Sequence, residues 1–319
     1  MATIGTDVLR AKAILEQGEL VAIPTETVYG LAGNALNLSA VTKIFQVKNR
    51  PSFDPLIIHT NSLERAASFL KHVPDMAYTL AEALWPGPLT LLLEKQPNVP
   101  DLVTSGLDRV AIRIPNHPMT LQLLTQLDFP LAAPSANPFG YISPTEAIHV
   151  NDQLGAKLEY ILDGGPCSVG VESTIVGFED GKPWVYRTGG TSIEQIEALI
   201  GSVSVQSHST SNPAAPGMLK SHYAPTKPLI IGDLQTLTQQ YEGKNFGILS
   251  FDRSFGAVAA DKQITLSPMG STQEAAQKLF GALRVLDKLP IEFILAEYVP
   301  EKGLGKAIND RLKRASIQL

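Results

Sequence analysis

Short apolar runs and helical stripes of apolar residues follow one another along the chain, and this pattern predicts an α/β protein. Residues 20–23 and 56–59 are compact apolar runs of the length of buried strands. Between them, Val41 and Ile44 repeat at the spacing of one helix face, and Ser39 is the expected N-cap of that helix. The first 200 residues repeat such runs and stripes several times and predict a helix-flanked sheet.

The pattern restarts from residue 228, where strands and helices again alternate. The predicted strands are 229–231, 246–250, 263–266 and 293–297, and the predicted helices are 234–241, 272–288 and 304–314. Such alternation is typical of a small, mainly parallel, Rossmann-like α/β domain. A chain of 319 residues also has room for two domains. We therefore divide it into a first domain (1–205), a connector (206–227) and a second domain (228–319).

The connector is unusual for a linker. Simple linkers are rich in Gly and Ser or in Pro and Ser. This one is rich in serine and then reads P-A-A-P-G-M-L-K-S-H-Y-A-P-T-K-P, so that Lys220, His222 and Tyr223 interrupt it. These side chains are not typical of a segment that is merely solvated.

Composition narrows the class of protein. Apolar residues make up 44% and charged residues 18%, which is typical of a globular enzyme and not of a disordered chain. We find no apolar run near the roughly 18 residues of a membrane span and no signal-peptide pattern. Cys167 is the only cysteine, so an internal disulfide is excluded and a cytoplasmic location is expected. The net charge of −5 argues against a strong direct grip on nucleic acid but permits a local basic pocket.

Three features each allow a structural and a functional interpretation. Lys48 continues the apolar stripe of the Val41 helix, as a snorkelling lysine or a functional cation would. Arg113 lies in a strand between aliphatic residues, as a paired structural charge or a carboxylate clamp would. The run S-P-T-E from Ser143 reads as a capping box that begins a helix, and helix N-termini also attract phosphate.

Cations and hydroxyls gather near the ends of predicted elements. The cations are Lys48, Arg50, Arg113 and Arg187, and the hydroxyls are Thr25, Ser135, Ser143, Ser173 and Thr174. The phosphate-loop, dinucleotide-binding, zinc-protease and serine-hydrolase motifs are absent from the sequence, and a lone cysteine is usually a packing residue. Ligands collect at strand ends in α/β sheets, and phosphoryl or adenylyl transfer depends on positioned cations and donors. These residues predict a site for a nucleotide or another anion in an enzyme that holds reactants together.

Six motifs in combination resemble the YrdC-like family over about the first 200 residues. They are P-T-E-T-V-Y-G-L, K-N-R-P with P-L-I-I-H, G-P-L-T, V-A-I-R-I-P, P-S-A-N-P-F-G and V-E-S-T-I-V. The S-H-Y-A-P connector and the final G-L-G-K-A-I-N-D-R-L-K-R-A resemble the long, two-domain form of that family. For the first domain the resemblance implies a twisted mixed sheet with flanking helices and a concave basic cavity.

The resemblance also implies a reaction. L-threonine, bicarbonate and ATP, accompanied by Mg²⁺, would give threonylcarbamoyl-AMP and pyrophosphate, the first step of t6A formation on tRNA. A downstream transfer machinery would then use the product. The implied ATP-binding residues are Lys48, Arg50, Ser135, Asn137, Ser143, Arg187, His222 and Tyr223, of which Lys48 and Arg50 form the catalytic pair. The implied threonine-binding residues are Thr25, His59, Arg113 and Ser173, and no protein metal site is implied.

Two other functions share parts of this pattern. A non-catalytic RNA-binding module of the same fold is the main alternative, against which the acidic pI of about 5.7 counts. Hydrogenase maturation factors contain a related domain, but they also carry cysteine-rich zinc motifs that a single cysteine rules out.

Overall fold

The structure, a computed structural model, describes residues 1–206, 215–216 and 222–316. Within those ranges the strands form one sheet of eleven strands and one of four. The predicted fold class is confirmed: a large mixed sheet is followed by a smaller parallel one. No helix in the described ranges is both long enough and apolar enough to cross a bilayer.

The first sheet has the strand order β1-β8-β2-β3-β7-β4-β6-β5-β9-β10-β11. Its strands are β1 (Thr3–Gly5), β2 (Val21–Ile23), β3 (Gly30–Asn34), β4 (Ile57–His59), β5 (Leu89–Glu94), β6 (Arg109–Arg113), β7 (Leu131–Ala132), β8 (Tyr160–Leu162), β9 (Thr174–Glu179), β10 (Lys182–Arg187) and β11 (Ser204–Val205). The helices between these strands are α1 (Val8–Glu16), α2 (Leu38–Lys48), α3 (Leu63–Ala67), α4 (Asp75–Leu84), α5 (Asp101–Thr104), α6 (Pro118–Gln126), α7 (Ala147–Leu154) and α8 (Ile193–Ile200). A 3-10 turn, Gly155–Lys157, follows α7.

The second sheet has the strand order β12-β15-β13-β14, and every pairing in it is parallel. Its elements are β12 (Leu229–Ile231), α9 (Leu234–Gln240), β13 (Phe246–Ser250), β14 (Gln263–Thr265), α10 (Thr272–Lys288), β15 (Phe293–Ala296) and α11 (Gly305–Ala315). A 3-10 turn, Ala260–Lys262, precedes β14. Parallel strands require crossover connections. Helix α9 connects β12 to β13 and α10 connects β14 to β15, whereas β13 and β14 are joined by the segment that contains the 3-10 turn.

The two sheets share an apolar boundary. The core cluster of the second sheet includes Val28, Ile142 and Val171, which come from loops around the first sheet. They pack in the same cluster as Leu279 and Phe280 of α10. The second sheet and its helices therefore lie directly against the loops of the first.

Two predicted helix starts are wrong. Helix α2 begins after Asn37, whose side chain accepts hydrogen bonds from the backbone N–H groups of residues 39 and 40, so Ser39 is inside the helix. Helix α7 begins at Ala147 with Glu146 in an extended N-cap conformation. Ser143 forms no capping box because its hydroxyl donates to Glu172 instead, 2.6 Å away.

Candidate active site

The central strands of the first sheet bring several predicted residues to one edge. Strands β4 and β6 are parallel neighbours, and their last residues, His59 and Arg113, pair in register. Ser135, which follows β7, forms an isolated bridge with Gly30 at the start of β3. A register shift between Val185 and Arg187 in β10 is the kind of bulge that redirects a side chain at a strand end.

These elements enclose a cavity. It is lined by Thr25, Thr27, Val28, Gly30, Arg50, Pro55, Ile57, His59, Arg113, Ala133, Pro134, Ser135, Glu172, Ser173, Arg187, Pro216, His222 and Tyr223. Most of the predicted site residues are in this lining. Lys48, Asn137 and Ser143 are not, and they lie behind it.

Arg113 is held by three partners at one end of the cavity. Its Nη2 lies 2.7 Å from Oε2 of Glu26, its Nη1 donates to Thr27 Oγ1 at 2.9 Å, and its Nε donates to the Gly87 carbonyl at 3.1 Å. The Thr25 hydroxyl lies 2.8 Å from that of Thr27. Arg113 is thus a paired charge whose partner, Glu26, comes from the P-T-E-T motif.

His59 contributes a neutral ring to the same end. Burial, followed by the positive charge of Arg113, lowers the pKa of His59 to about 3. Its Nδ1 lies 3.2 Å from the Ile57 carbonyl oxygen, which can only accept, so the tautomer with the proton on Nδ1 satisfies this contact. Nε2 of the neutral ring is then an acceptor, suited to an amine or a hydroxyl.

Ser173 and Arg187 form a second polar group in the lining. The Ser173 hydroxyl lies 2.7 Å from that of Thr90 and accepts from Arg187 Nη2 at 3.1 Å. Arg187 also donates to the carbonyls of Ser173 and Pro216, at 3.1 and 3.2 Å. Burial lowers the pKa of Arg187 to about 10, which still leaves a full positive charge at neutral pH.

The two cations after α2 have different positions. Arg50 lines the cavity, with Nη2 at 2.9 Å from Asp54 Oδ2 and 2.8 Å from the Pro55 carbonyl oxygen. Lys48 is only 1% exposed, and its Nζ donates to the carbonyls of Ser135 and Asn137. Burial, aided by Arg50, lowers the pKa of Lys48 well below its usual value. In this conformation Lys48 supports the S-A-N segment from behind.

Asn137 is also structural in its contacts. Its side-chain amide nitrogen donates to the carbonyls of Pro138 and Tyr141, at 2.9 and 2.8 Å. These bonds close the turn that carries Ser135 into the lining. Cys167 takes no visible part, since burial raises the pKa of its thiol and so disfavours a thiolate nucleophile.

The connector covers one side of the cavity. His222 and Tyr223 both line it, and their rings meet edge to face at 4.2 Å. Tyr223 has a φ of +68°, an uncommon conformation for a residue with a side chain, and its ring stacks on Phe280 of α10 at 5.5 Å. The neighbouring Ala224 donates its N–H to the Gly140 carbonyl at 2.9 Å. Lys220, singled out in the sequence, lies outside the described residues.

Sequence reasoning missed Glu172 and Arg311. Glu172 lines the cavity and pairs with Arg311 of α11, whose Nε donates to Oε2 at 3.0 Å. Burial opposes ionisation of this carboxyl, but Arg311 and then Arg187 outweigh it and lower the pKa of Glu172. A signal was present: Arg311 stands three residues after Ile308 and four before Ala315, on the apolar face of α11.

The fold and the site together define a two-domain α/β protein with a buried, cation-lined cavity suited to a small anionic ligand. A family profile described as "Telomere recombination", covering Sua5, YciO and YrdC, matches residues 13–189. A second profile, described as "Threonylcarbamoyl-AMP synthase, C-terminal domain", matches residues 191–316. The chain belongs to the Sua5/YciO/YrdC family.

Relatives match over nearly the full chain. A threonylcarbamoyl-AMP synthase of Bacillus subtilis is 41% identical, over 99% of this chain and 94% of the relative. The enzyme of that name from Pyrococcus abyssi is 42% identical, over 96% and 93%. The crystal structure of P. abyssi Sua5 complexed with L-threonine superposes with a TM-score of 0.91 at 39% identity, covering 99% of this chain and 97% of that one.

Proposed function

We propose that this protein is a threonylcarbamoyl-AMP synthase. The observation that carries the proposal is that one cavity contains two different sets of groups. At one end, the hydroxyl of Thr25 and the neutral ring of His59 lie beside the Arg113 guanidinium, whose charge is paired with Glu26, and this set is suited to an amino acid. Arg50 and Arg187 are cations beside it, suited to phosphates. Similarity along the full chain to synthases of that name supports the same reaction.

The amino-acid side would work by orientation. We assign the threonine carboxylate to Arg113, whose planar guanidinium matches a carboxylate, and the threonine hydroxyl or amine to Nε2 of His59 and the hydroxyls of Thr25 and Ser173. Because the His59 ring is neutral at pH 7, it places no positive charge against the amine. The amine nitrogen then bonds to the carbon of CO₂ derived from bicarbonate and loses a proton, which gives a carbamate.

The nucleotide side would stabilise charge. One carbamate oxygen bonds to the α-phosphorus of ATP, the α–β phosphoanhydride bond breaks and pyrophosphate leaves. Arg50 and Arg187 face the part of the cavity that we assign to the phosphates, where negative charge builds up on the leaving pyrophosphate. Ser135 lines the same space, and Lys48 and Asn137 support it from behind, so these two act through the S-A-N segment in this conformation. Ser143 reaches the site through Glu172.

His222 and Tyr223 complete the nucleotide set. We propose that the connector, 206–227, acts as a lid between a catalytic domain, 1–205, and a supporting domain, 228–319. Its described residues already cover the cavity, which supports that role.

We propose that ATP enters as its Mg²⁺ complex. Glu172 is the single acidic residue among the described residues of the cavity lining, and its carboxylate oxygens are engaged by Ser143 and Arg311. No group of three or more His, Cys, Asp or Glu in the described part of the chain is arranged to hold a metal. Phosphate oxygens and water would therefore be the main ligands of the ion.

The RNA-binding alternative gains no support from the site. Arg50, Arg113 and Arg187 are each less than 10% exposed, so a polynucleotide backbone would not reach them as it reaches a surface patch. The proposed product passes to a separate t6A transfer machinery. These substrates and the reduced, buried thiol of Cys167 support a cytoplasmic location.

Purified protein with ATP and Mg²⁺ should release pyrophosphate only when L-threonine and bicarbonate are both supplied. D-threonine is the matched control, since it presents the same groups in the wrong order around Cα. Equal release without threonine would refute the proposal.

A further inference from the structure

The described part of the second domain supplies the partner of the cavity's acidic residue. Glu172 is the single acidic side chain in the described lining, and it lies among groups that we assign to an anionic nucleotide. Its Oε1 accepts from the Ser143 hydroxyl at 2.6 Å and its Oε2 from Arg311 Nε at 3.0 Å. Both carboxylate oxygens thus point to partners that lie outside the lining.

Arg311 is positioned to keep that arrangement. Its side chain is fully buried, and its Nη1 donates to the Thr188 carbonyl at 2.6 Å and to Asp310 Oδ2 at 2.9 Å. Its guanidinium also lies 5.3 Å from the centre of the Tyr223 ring. One side chain of α11 therefore joins the carboxylate of Glu172, the end of β10 and the connector.

Arg187 is the other guanidinium close enough to affect Glu172. Each of the two residues contributes to the electrostatic environment of the other. Arg187 at present donates to Ser173 and to the Pro216 carbonyl, and it faces the cavity. A buried charge is strongly destabilised when it is unpaired, so without Arg311 the carboxylate of Glu172 would need another cation. Arg187 is the other cation that acts on Glu172, and it already contacts the adjacent Ser173. A Glu172–Arg187 pair would remove a cation from the ligand and leave a carboxylate facing phosphate.

We propose that Arg311 is a positioning residue for the nucleotide: it holds Glu172 against Ser143 and thereby leaves Arg187 available to the phosphates of ATP. The second domain is then part of the site although it contributes no group to the chemistry. This inference rests on the proposed function, and its test includes a binding measurement that does not require turnover.

The test compares four full-length variants: Arg311→Met, Glu172→Gln, the double variant and Lys313→Met. Lys313 is an exposed lysine of the same helix, so Lys313→Met removes one positive charge without touching Glu172. Arg311→Met should raise the KM for ATP and the Kd of a non-hydrolysable ATP analogue at least about tenfold, within the range of couplings between contacting residues. The KM for threonine should change less than about twofold, and Lys313→Met should match the wild type.

The double variant decides the mechanism. Glu172→Gln removes the charge that Arg311 neutralises, so the double variant should recover ATP affinity to within about threefold of Glu172→Gln alone. A merely structural role for Arg311 would weaken both substrates and would not be rescued by Glu172→Gln. Either that result or an unchanged ATP affinity in Arg311→Met overturns the proposal. If Arg311→Met does not fold, comparing the ATP affinity of Glu172→Gln with that of the double variant still separates the positioning role from the structural one.

Failure of the proposed function has a different signature. In that case the wild type would form no threonylcarbamoyl-AMP, while the four Kd values would still report whether Arg311 and Glu172 are coupled at the cavity.

Discussion

Replacing Lys48 with methionine tests how the S-A-N segment is held. Methionine keeps most of the length of the side chain but removes every N–H donor. Two buried carbonyls, those of Ser135 and Asn137, then lose their contact with Nζ. The Ser135 carbonyl still accepts from the Asn137 N–H at 3.0 Å, so it loses only one of two hydrogen bonds, whereas the Asn137 carbonyl loses its one described donor. A lost hydrogen bond costs about 0.5–1.5 kcal/mol and an unpaired buried carbonyl about 1–3 kcal/mol, which gives about 1.5–4.5 kcal/mol in total. The substitution also relieves the burial of an amino group, so we expect the lower half of that range, about 1.5–3 kcal/mol.

The matched control is Lys43→Met on the same helix. Lys43 pairs with Glu19 at 2.6 Å, and both side chains are about a third or more exposed (34% and 52%). Its Nζ also donates to the Gly18 carbonyl at 3.1 Å, so both contacts of Lys43 lie at a partly exposed site. Such a surface pair contributes about 0–1 kcal/mol. Urea denaturation at neutral pH should therefore separate the two variants by more than about 0.5 kcal/mol.

Lys48→Met should also affect the nucleotide selectively. Ser135 lines the cavity, and loosening its segment should raise the KM for ATP about tenfold, with threonine affinity by calorimetry within about twofold of the wild type. A free energy of unfolding within about 0.5 kcal/mol of Lys43→Met would refute the assigned contacts. An intact KM for ATP would refute the role of Lys48 in the nucleotide site.

Three further outcomes are expected. The double substitution Arg113→Gln/Glu26→Gln removes the guanidinium without leaving a buried carboxylate unpaired. It should raise the KM for threonine about 30-fold (about 2 kcal/mol) and change the KM for ATP less than about twofold. Equal changes in the two KM values would contradict the role of Arg113 as the clamp for the threonine carboxylate. His59 has a pKa of about 3 when folded against 6.5 in its usual state, so the unfolded chain binds its proton first and stability falls as pH drops below 6.5. For the wild type this protonation should lower the free energy of unfolding at about pH 5 by about 2 kcal/mol relative to neutral pH, and His59→Asn should abolish that decrease. Urea denaturation of both proteins at the two pH values measures it, and the same decrease in both would contradict a neutral His59 ring. Arg284→Met should lower the free energy of unfolding in urea by about 2 kcal/mol, because Arg284 of α10 donates to the carbonyls of Ile142 and Ser143. An unchanged free energy of unfolding would contradict those contacts.

Local patterns predicted most of the elements but not every strand. Strand β3 escaped prediction because it reads G-L-A-G-N, with two glycines where a strand usually has large apolar residues. At the second glycine, a Cβ on Gly33 would lie 2.8 Å from Leu20 Cδ2, so the Leu20 side chain would have to shift. Only the folded structure reveals that contact.

A contact between residues that are distant in the sequence explains why the predicted capping box at Ser143 does not form. The S-P-T-E run has the composition of a capping box, but Ser143 instead donates to Glu172, which is 29 residues away. Lys48 and Arg311 each occupy a position on the apolar face of a helix, and both side chains are buried. The sequence thus indicates that such a charge faces inward, whereas its partner is set by tertiary structure.

The most direct measurement of the central claim is isotopic. Purified protein is incubated with ATP, Mg²⁺, L-threonine and ¹³C-bicarbonate. The nucleotide products are then separated, and their masses are measured by mass spectrometry. We predict threonylcarbamoyl-AMP that is one mass unit heavier than the product from unlabelled bicarbonate, together with an equal amount of pyrophosphate. Pyrophosphate or AMP without a labelled threonylcarbamoyl adduct would contradict the account.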